Sequence, residues 1–274
     1  MRRTILLSAT LLCACAPSFD PASYVKGIRV LAVKAEPAEV APGQSTTLSA
    51  LAVDTSGATV QAVWIACTEP AVTGSGPVNP DCFGPGTAPY LVPLGTGLTL
   101  DATIPAVAPA DFGPPDAGGG VYLPIVVRAS SASGAVTGEY GLRLAQGAPP
   151  NQNPTLSDVV VVAGATLTPL DPATPLEVHA GDQLTLRGEF APGSAETYQT
   201  VVSGVPSTVT EILRVSWFAS GGSLSEAVTG GDKPDTVWTA DTHLPPAGSI
   251  IDLWVVGRDE RGGTDFTHRQ LVLR

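Results

Sequence analysis

The stretch V-A-P-G-Q-S-T-T-L (40–48) returns in the second half of the chain as V-H-A-G-D-Q-L-T-L (178–186), with Gly43 matching Gly181, Thr47 matching Thr185 and Leu48 matching Leu186. Two further blocks recur in the same order. A-V-W-I-A (62–66) corresponds to V-S-W-F-A (215–219) and aligns Trp64 with Trp217. The run 123–144, L-P-I-V-V-R-A-S-S-A-S-G-A-V-T-G-E-Y-G-L-R-L, corresponds to 253–273, L-W-V-V-G-R-D-E-R-G-G-T-D-F-T-H-R-Q-L-V-L. Three matched blocks in one order indicate an internal duplication.

Each copy reads as a series of short strands. Residues 28–34 form a first strand, closed by the turn-forming E-P-A-E-V-A-P-G. Over 45–53 the pattern alternates, with Leu48, Ala50 and Ala52 on one face and Thr47, Ser49 and Leu51 on the other. A strand carrying Trp64 comes next, then a long irregular stretch, a strand at 98–104 and a closing hairpin. The second copy repeats this with strands at 159–162, 183–190, 212–219, 236–240, 250–258 and 264–273. The 30 Gly and 26 Pro among 274 residues, with only 14% charged residues, fit strands joined by turns. Between the copies Q-G-A-P-P-N-Q-N-P (146–154) has no apolar periodicity and three prolines. It reads as a stiff, extended linker that sets the second half further out.

The first residues read as an export signal: Arg2 and Arg3, then the apolar run I-L-L-S-A-T-L-L (5–12), far short of the roughly 20 residues that span a bilayer. At the end of that run, Leu12-Cys13-Ala14-Cys15 resembles the lipobox of bacterial lipoproteins. The resemblance implies cleavage after residue 14, loss of Cys13 and acylation of Cys15, with several acyl chains giving a stable anchor. Cys13 as acceptor would put the bulky Leu12 beside the cleavage point. An ordinary secretory cut would leave Cys15 an unpaired thiol, a liability in an exported protein. Ala16 instead of Asp after the cysteine resembles lipoproteins sent to the outer membrane. The expected localisation is therefore the bacterial cell envelope, lipid-anchored at the outer membrane. Residues 15–24 would form anchor and tether.

After removal of 1–14, 12 basic and 25 acidic residues remain, a net charge of −13 against −11 for the whole chain. That opposes nucleic acid and anionic lipid headgroups. With Cys13 lost and Cys15 acylated, Cys67 and Cys82 remain, and an even pair in an oxidising compartment reads as one disulfide. The alternatives, two free thiols or half a metal site, have no His or further Cys nearby in sequence.

The two halves resemble bacterial immunoglobulin-like or PKD-like domains. The resemblance is carried by the P-G and A-G turns, by Trp64 and Trp217, and by the closing V-V-G-R-D-E-R-G-G-T (255–264). It implies an all-β chain of two tandem Ig-like Greek-key β-sandwiches, at 25–145 and 155–274, joined by the linker 146–154. The first departs from the antibody plan, because Cys67 and Cys82 lie too close in sequence to join two sheets; they would instead pin the irregular stretch after the Trp strand.

No catalytic constellation emerges. His179, His243 and His268 fall in a turn, a loop and a strand, without ligand-like spacing. Ser23-Tyr24-Val25-Lys26 matches an S-x-x-K string but lacks the helix and the companion motifs that give it meaning. Asp259, Glu260 and Asp265 around Gly262-Gly263 form a candidate Ca²⁺ loop, weighed against a plain hairpin turn kept soluble by its acids. Three long polar stretches, 68–90, 105–120 and 192–208, are candidate contact surfaces, since loops of such length are usually functional or disordered. The aromatics within them, Phe83, Tyr90, Phe112 and Tyr198, are candidate anchors for a partner or a sugar ring.

The expected function is that of a non-enzymatic envelope module without cofactor, bound to the membrane by its N-terminal lipid and contacting another envelope protein. Glycan binding or adhesion at the cell surface is the alternative. A hydrolase would require two facing carboxylates in a concave site.

Overall fold

The computed structural model describes residues 19–69, 78–84, 88–112, 115–116, 118–145 and 150–274. The expected lipobox, with Cys13 and Cys15, lies outside them. Among the described residues the chain is all-β, with two short 3₁₀ turns at Pro80–Phe83 and Pro109–Phe112. The first half contributes β1 (Ile28–Glu36), β2 (Glu39–Val40), β3 (Ser45–Asp54), β4 (Gln61–Cys67), β5 (Leu91–Thr96), β6 (Thr99–Thr103), β7 (Val121–Ser131) and β8 (Gly134–Leu144). They make a three-stranded sheet, β1-β3-β6, and a five-stranded one, β2-β8-β7-β4-β5.

The second half contributes β9 (Leu156–Ala163), β10 (Thr166–Pro169), β11 (Leu176–Val178), β12 (Gln183–Phe190), β13 (Thr197–Val202), β14 (Val205–Thr210), β15 (Arg214–Ala219), β16 (Ser223–Leu224), β17 (Val228–Gly230), β18 (Asp235–Thr239), β19 (Ile250–Arg258) and β20 (Thr264–Leu273). Its sheets are β10-β9-β12-β18-β16 and β11-β20-β19-β15-β17, with β13-β14 as a separate two-stranded ribbon.

The two halves share features of their topology. In each half a short strand pairs in parallel with the last one: Glu39 opposite Arg143 in the first, Leu176 opposite Leu271 in the second. The turns behind the first repeat block coincide in detail. The Gln44 amide donates to Ala41 O and the Asp182 amide to His179 O, both at 3.0 Å, with Gly43 and Gly181 at φ +82° and +89°. Positive φ at the third position of such a turn selects glycine, which is why this block of the repeat is legible.

Alternation puts one face of each sheet into a core. Leu48, Ala50, Ala52, Trp64, Leu123, Ile125 and Val127 pack together in the first half, and Leu186, Trp217, Trp238, Leu253 and Val255 in the second. The two aligned tryptophans are fully enclosed, and each satisfies its indole N–H on a segment beyond its own strand. Trp64 donates to Gly97 O at 2.7 Å and Trp217 to Thr229 Oγ1 at 2.9 Å.

The halves are not held apart. Val25 and Leu31 pack on Trp254, flanked by Leu51, Val53 and Phe218. Along β1 the contacts run from Val25 at Ala219, through Leu31 O at Arg258 Nη2 (3.0 Å), to Lys34 Nζ at Asp265 Oδ1 (3.1 Å). Ala219 lies opposite Leu253 and Arg214 opposite Arg258, so this path runs the length of the β15–β19 pair. The halves therefore lie side by side along this path. Of the expected linker 146–154, residues 146–149 lie outside the described residues. Its described part is bonded to both halves: Asn151 N donates to Glu39 Oε2 at 2.9 Å, and Asn153 Nδ2 to Ala35 O at 2.6 Å, while Thr264 N donates back to Asn153 Oδ1 at 2.8 Å. The Asn153 side-chain amide thereby bonds backbone groups of both halves.

Candidate interaction surface

The Cys67–Cys82 disulfide is present, with the Cα atoms 5.7 Å apart. It folds the stretch after β4 onto the outer face of the five-stranded sheet, where Cys82, Val78 and Leu91 cover Ile65 and Val126. Arg128 Nη2 fastens this cover by donating to Gly84 O at 2.6 Å. Residues 70–77 and 85–87 of the stretch lie outside the described residues.

The other two long stretches meet where the end of the first half adjoins the start of the second. In the first half, Arg143 is the centre. Its side chain is 4% exposed and bonds Glu39 Oε2 (2.9 Å), Asp116 Oδ2 (3.0 Å), the Tyr122 hydroxyl (3.0 Å) and Gly118 O (3.0 Å). A Cβ at position 120 would overlap the Arg143 guanidinium, so a larger residue there would displace that side chain from its partners. Burial raises the affinity of Asp116 for its proton, but the Tyr122 hydroxyl, the Gly120 amide and the Arg143 charge outweigh it and hold the carboxyl below its usual range. Burial, reinforced by the Asp116 carboxylate, pushes the Tyr122 phenol up to about 12.

In the second half, Arg261 plays the matching part. Its Nε bonds Glu211 Oε1 at 2.6 Å, its Nη2 bonds Glu196 Oε2 at 2.7 Å, and its guanidinium lies 4.5 Å over the Tyr198 ring. The Glu211 side chain is wholly buried, and that burial raises its carboxyl above the ordinary value despite Arg261. Gln152 joins the network through two bonds to Glu196. The two clusters touch, since a Cβ on Gly118 would sit 3.3 Å from the Tyr198 ring.

The stretch 192–208 is not an irregular loop. It contains most of the β13–β14 hairpin, closed by Ser203-Gly204 with φ +51° and +82°. A two-residue turn with both φ values positive is the type I′ form that matches strand twist. The hairpin pairs with no other described strand. Its tip carries Val201, Val202 and Val205, 50%, 50% and 61% exposed. At its base opens a cleft of about 390 Å³ lined by Phe190, Ala195, Glu211, Ile212, Leu213, Val215 and Pro234. Both Glu211 oxygens there are already engaged, by Arg261 and by the Glu196 amide.

The remaining candidates are dispersed. Phe83 is exposed; Tyr90 packs beside the disulfide; Phe112 packs on the first core; Tyr198 lies beneath Arg261. They form no common stacking platform. The carboxylates of the candidate Ca²⁺ turn are occupied by protein donors. Asp259 accepts from Arg261 N, Gly263 N and Asn151 Nδ2, Glu260 from Ile212 N, and Asp265 from Lys34 Nζ and Leu156 N. Among the described residues no group of three or more His, Cys, Asp or Glu is arranged to hold a metal ion. Ser23 is buried while Lys26 is exposed. His179 and His268 sit beside Asp182 and Asp252, and His243 stacks on Tyr24.

The valines of the hairpin tip, with Ile212 at its base, were missed as candidates. The available signal was the run T-Y-Q-T-V-V-S-G-V-P-S-T-V-T (197–210), a two-residue turn between β-prone arms. No family model matches this chain, and no curated protein matches it.

Proposed function

We propose that this chain is an exported lipoprotein of the bacterial cell envelope, anchored through Cys15, whose two halves are immunoglobulin-like sandwiches acting as a non-enzymatic binding module. The lipobox-like L-C-A-C supports the anchor. The parallel pairing of a short early strand with the last one, β2 with β8 and β11 with β20, supports the Ig-like reading.

The observation that carries the binding role is the β13–β14 hairpin. An unpaired ribbon tipped by three exposed valines is costly to leave in water, and such patches mark contact sites. Its base is braced by Arg261, Tyr198 and the buried Glu211 carboxylate, so the ribbon is presented from a rigid support. The partner is another envelope protein that covers the valines or extends the ribbon by strand addition.

Fractionation combined with protease shaving of intact cells tests the anchor and the setting. The wild-type chain is expected in the membrane fraction and a Cys15→Ala variant in the soluble one. Membrane retention of the variant would refute the lipid anchor. Cleavage on intact cells would put the partner outside, and protection until lysis would put it in the periplasm.

A further inference from the structure

Residues 20–25, ahead of the first strand, are not a free tether. Val25 N donates to Ala219 O at 2.8 Å and Ala219 N to Ser23 O at 2.9 Å, so the segment is added to the end of β15 in the second half. Tyr24 stacks on His243 with ring centroids 4.0 Å apart, and Asp20 Oδ1 lies 3.4 Å from His243 Nε2. From the first half, Arg29 Nη1 bonds Ala22 O at 2.7 Å and Tyr24 O at 3.1 Å. Ser23 and Val25 are buried, at 5% and 1% exposure. Residues 20–25 thus form a strap fastened to both halves.

Only Ala16, Pro17 and Ser18 separate Cys15 from Phe19. Four residue steps reach at most roughly 14 Å. From Ile28 to Glu36, β1 runs roughly 26 Å at the strand rise, so an acyl chain on Cys15 lies nearer the Ala219–His243 end than the far end. Phe19, the first described residue, is 87% exposed, and an aromatic ring is well suited to the bilayer interface. Beside the strap, the loop that carries His243 exposes Pro246 and Ala247, with the acids Asp20 and Asp241. Lys26 is exposed just past the strap and the Arg29 guanidinium lies across it; the acyl chains and Phe19 supply the apolar part of the attachment.

We infer that the strap is a rigid mount that seats both halves on a lipid surface, with the Ala219–His243 end against the headgroups and the β13–β14 hairpin held at the opposite end. This rests on the lipid-anchor reading above. It replaces a first half tethered near the membrane and a second half set beyond it with two halves side by side.

The test uses the lipidated full chain in phosphatidylcholine–phosphatidylethanolamine vesicles containing headgroup-nitroxide lipid. A fluorophore is attached in Ala247→Cys or in Val202→Cys, with Cys67–Cys82 left oxidised. Quenching at position 247 is expected to exceed that at 202 at least threefold. Adding Val25→Asp, or independently Tyr24→Ala, should bring quenching at 247 down to the level at 202 while the protein still floats with the vesicles. Equal quenching at the two positions in the floating protein, or no effect of either strap variant, would overturn the mount alone. If the intact lipid-processed chain fails to float, the anchor reading is wrong and the mount falls with it.

Discussion

Arg261, from the turn between the last two strands, lies 4.5 Å over the ring of Tyr198 in the inserted hairpin, and the same guanidinium holds Glu211 and Glu196. One side chain thereby ties the hairpin, the cleft beneath it and the junction between the halves into a single support. Arg143 does the same for the adjoining end of the first half.

Removing Arg261 should be severe because Glu211 would be left buried without its counter-charge. Arg261→Met is expected to cost about 3–5 kcal/mol, and the double variant with Glu211→Gln considerably less, since breaking a buried pair costs more than replacing it. Urea unfolding of the wild type and the two variants checks this. A cost near zero for Arg261→Met would mean that the pair does not brace the hairpin.

The Arg143 cluster makes a pH-dependent contribution at both extremes. The folded-state pKa of Tyr122 is raised above its ordinary value near 10 to about 12. Folding therefore favours the protonated phenol, and this stabilisation is complete below pH about 10 and lost as pH rises towards about 12. Asp116 is shifted the other way: its stabilisation is present above the ordinary carboxylate range and lost as pH falls through its depressed value. Denaturation midpoints measured against pH should fall less steeply between pH 10 and 12 in Tyr122→Phe, and less steeply in acid in Asp116→Asn.

Both disulfide cysteines are fully buried against Ile65 and Val126. Reductant without denaturant should therefore act slowly. Replacing both cysteines by alanine should cost about 3 kcal/mol in the chain-entropy account of a loop this short, lowering the urea midpoint of the first half.

Much of the fold was legible because its signals are local. The Gly43 and Gly181 turns, the alternation around Leu48 and the paired Trp64 and Trp217 each depend on neighbouring residues alone. The strands 183–190, 250–258 and 264–273 are found at their expected bounds. The hairpin was missed because T-Y-Q-T-V-V (197–202) mixes polar and apolar residues without a buried face, and because Ser203-Gly204 is an unobtrusive turn. The junction was not legible at all. Asn153 with Ala35, Asn151 with Glu39 and Lys34 with Asp265 are each separated by more than 100 residues, and no local pattern encodes such pairings. The strap was hidden for the same reason: Tyr24 and His243 carry no mutual signal in sequence.

The central claim is that the hairpin tip is the contact surface, and site-specific photo-crosslinking in intact envelopes tests it most directly. A photoreactive residue at Val202 or Val205 should give a discrete adduct that is absent when the same residue stands at Thr168, on an exposed edge strand of the second half. Adducts from the tip alone would establish the hairpin as the binding element. No adduct from either tip position, or the same adducts from Thr168, would contradict it.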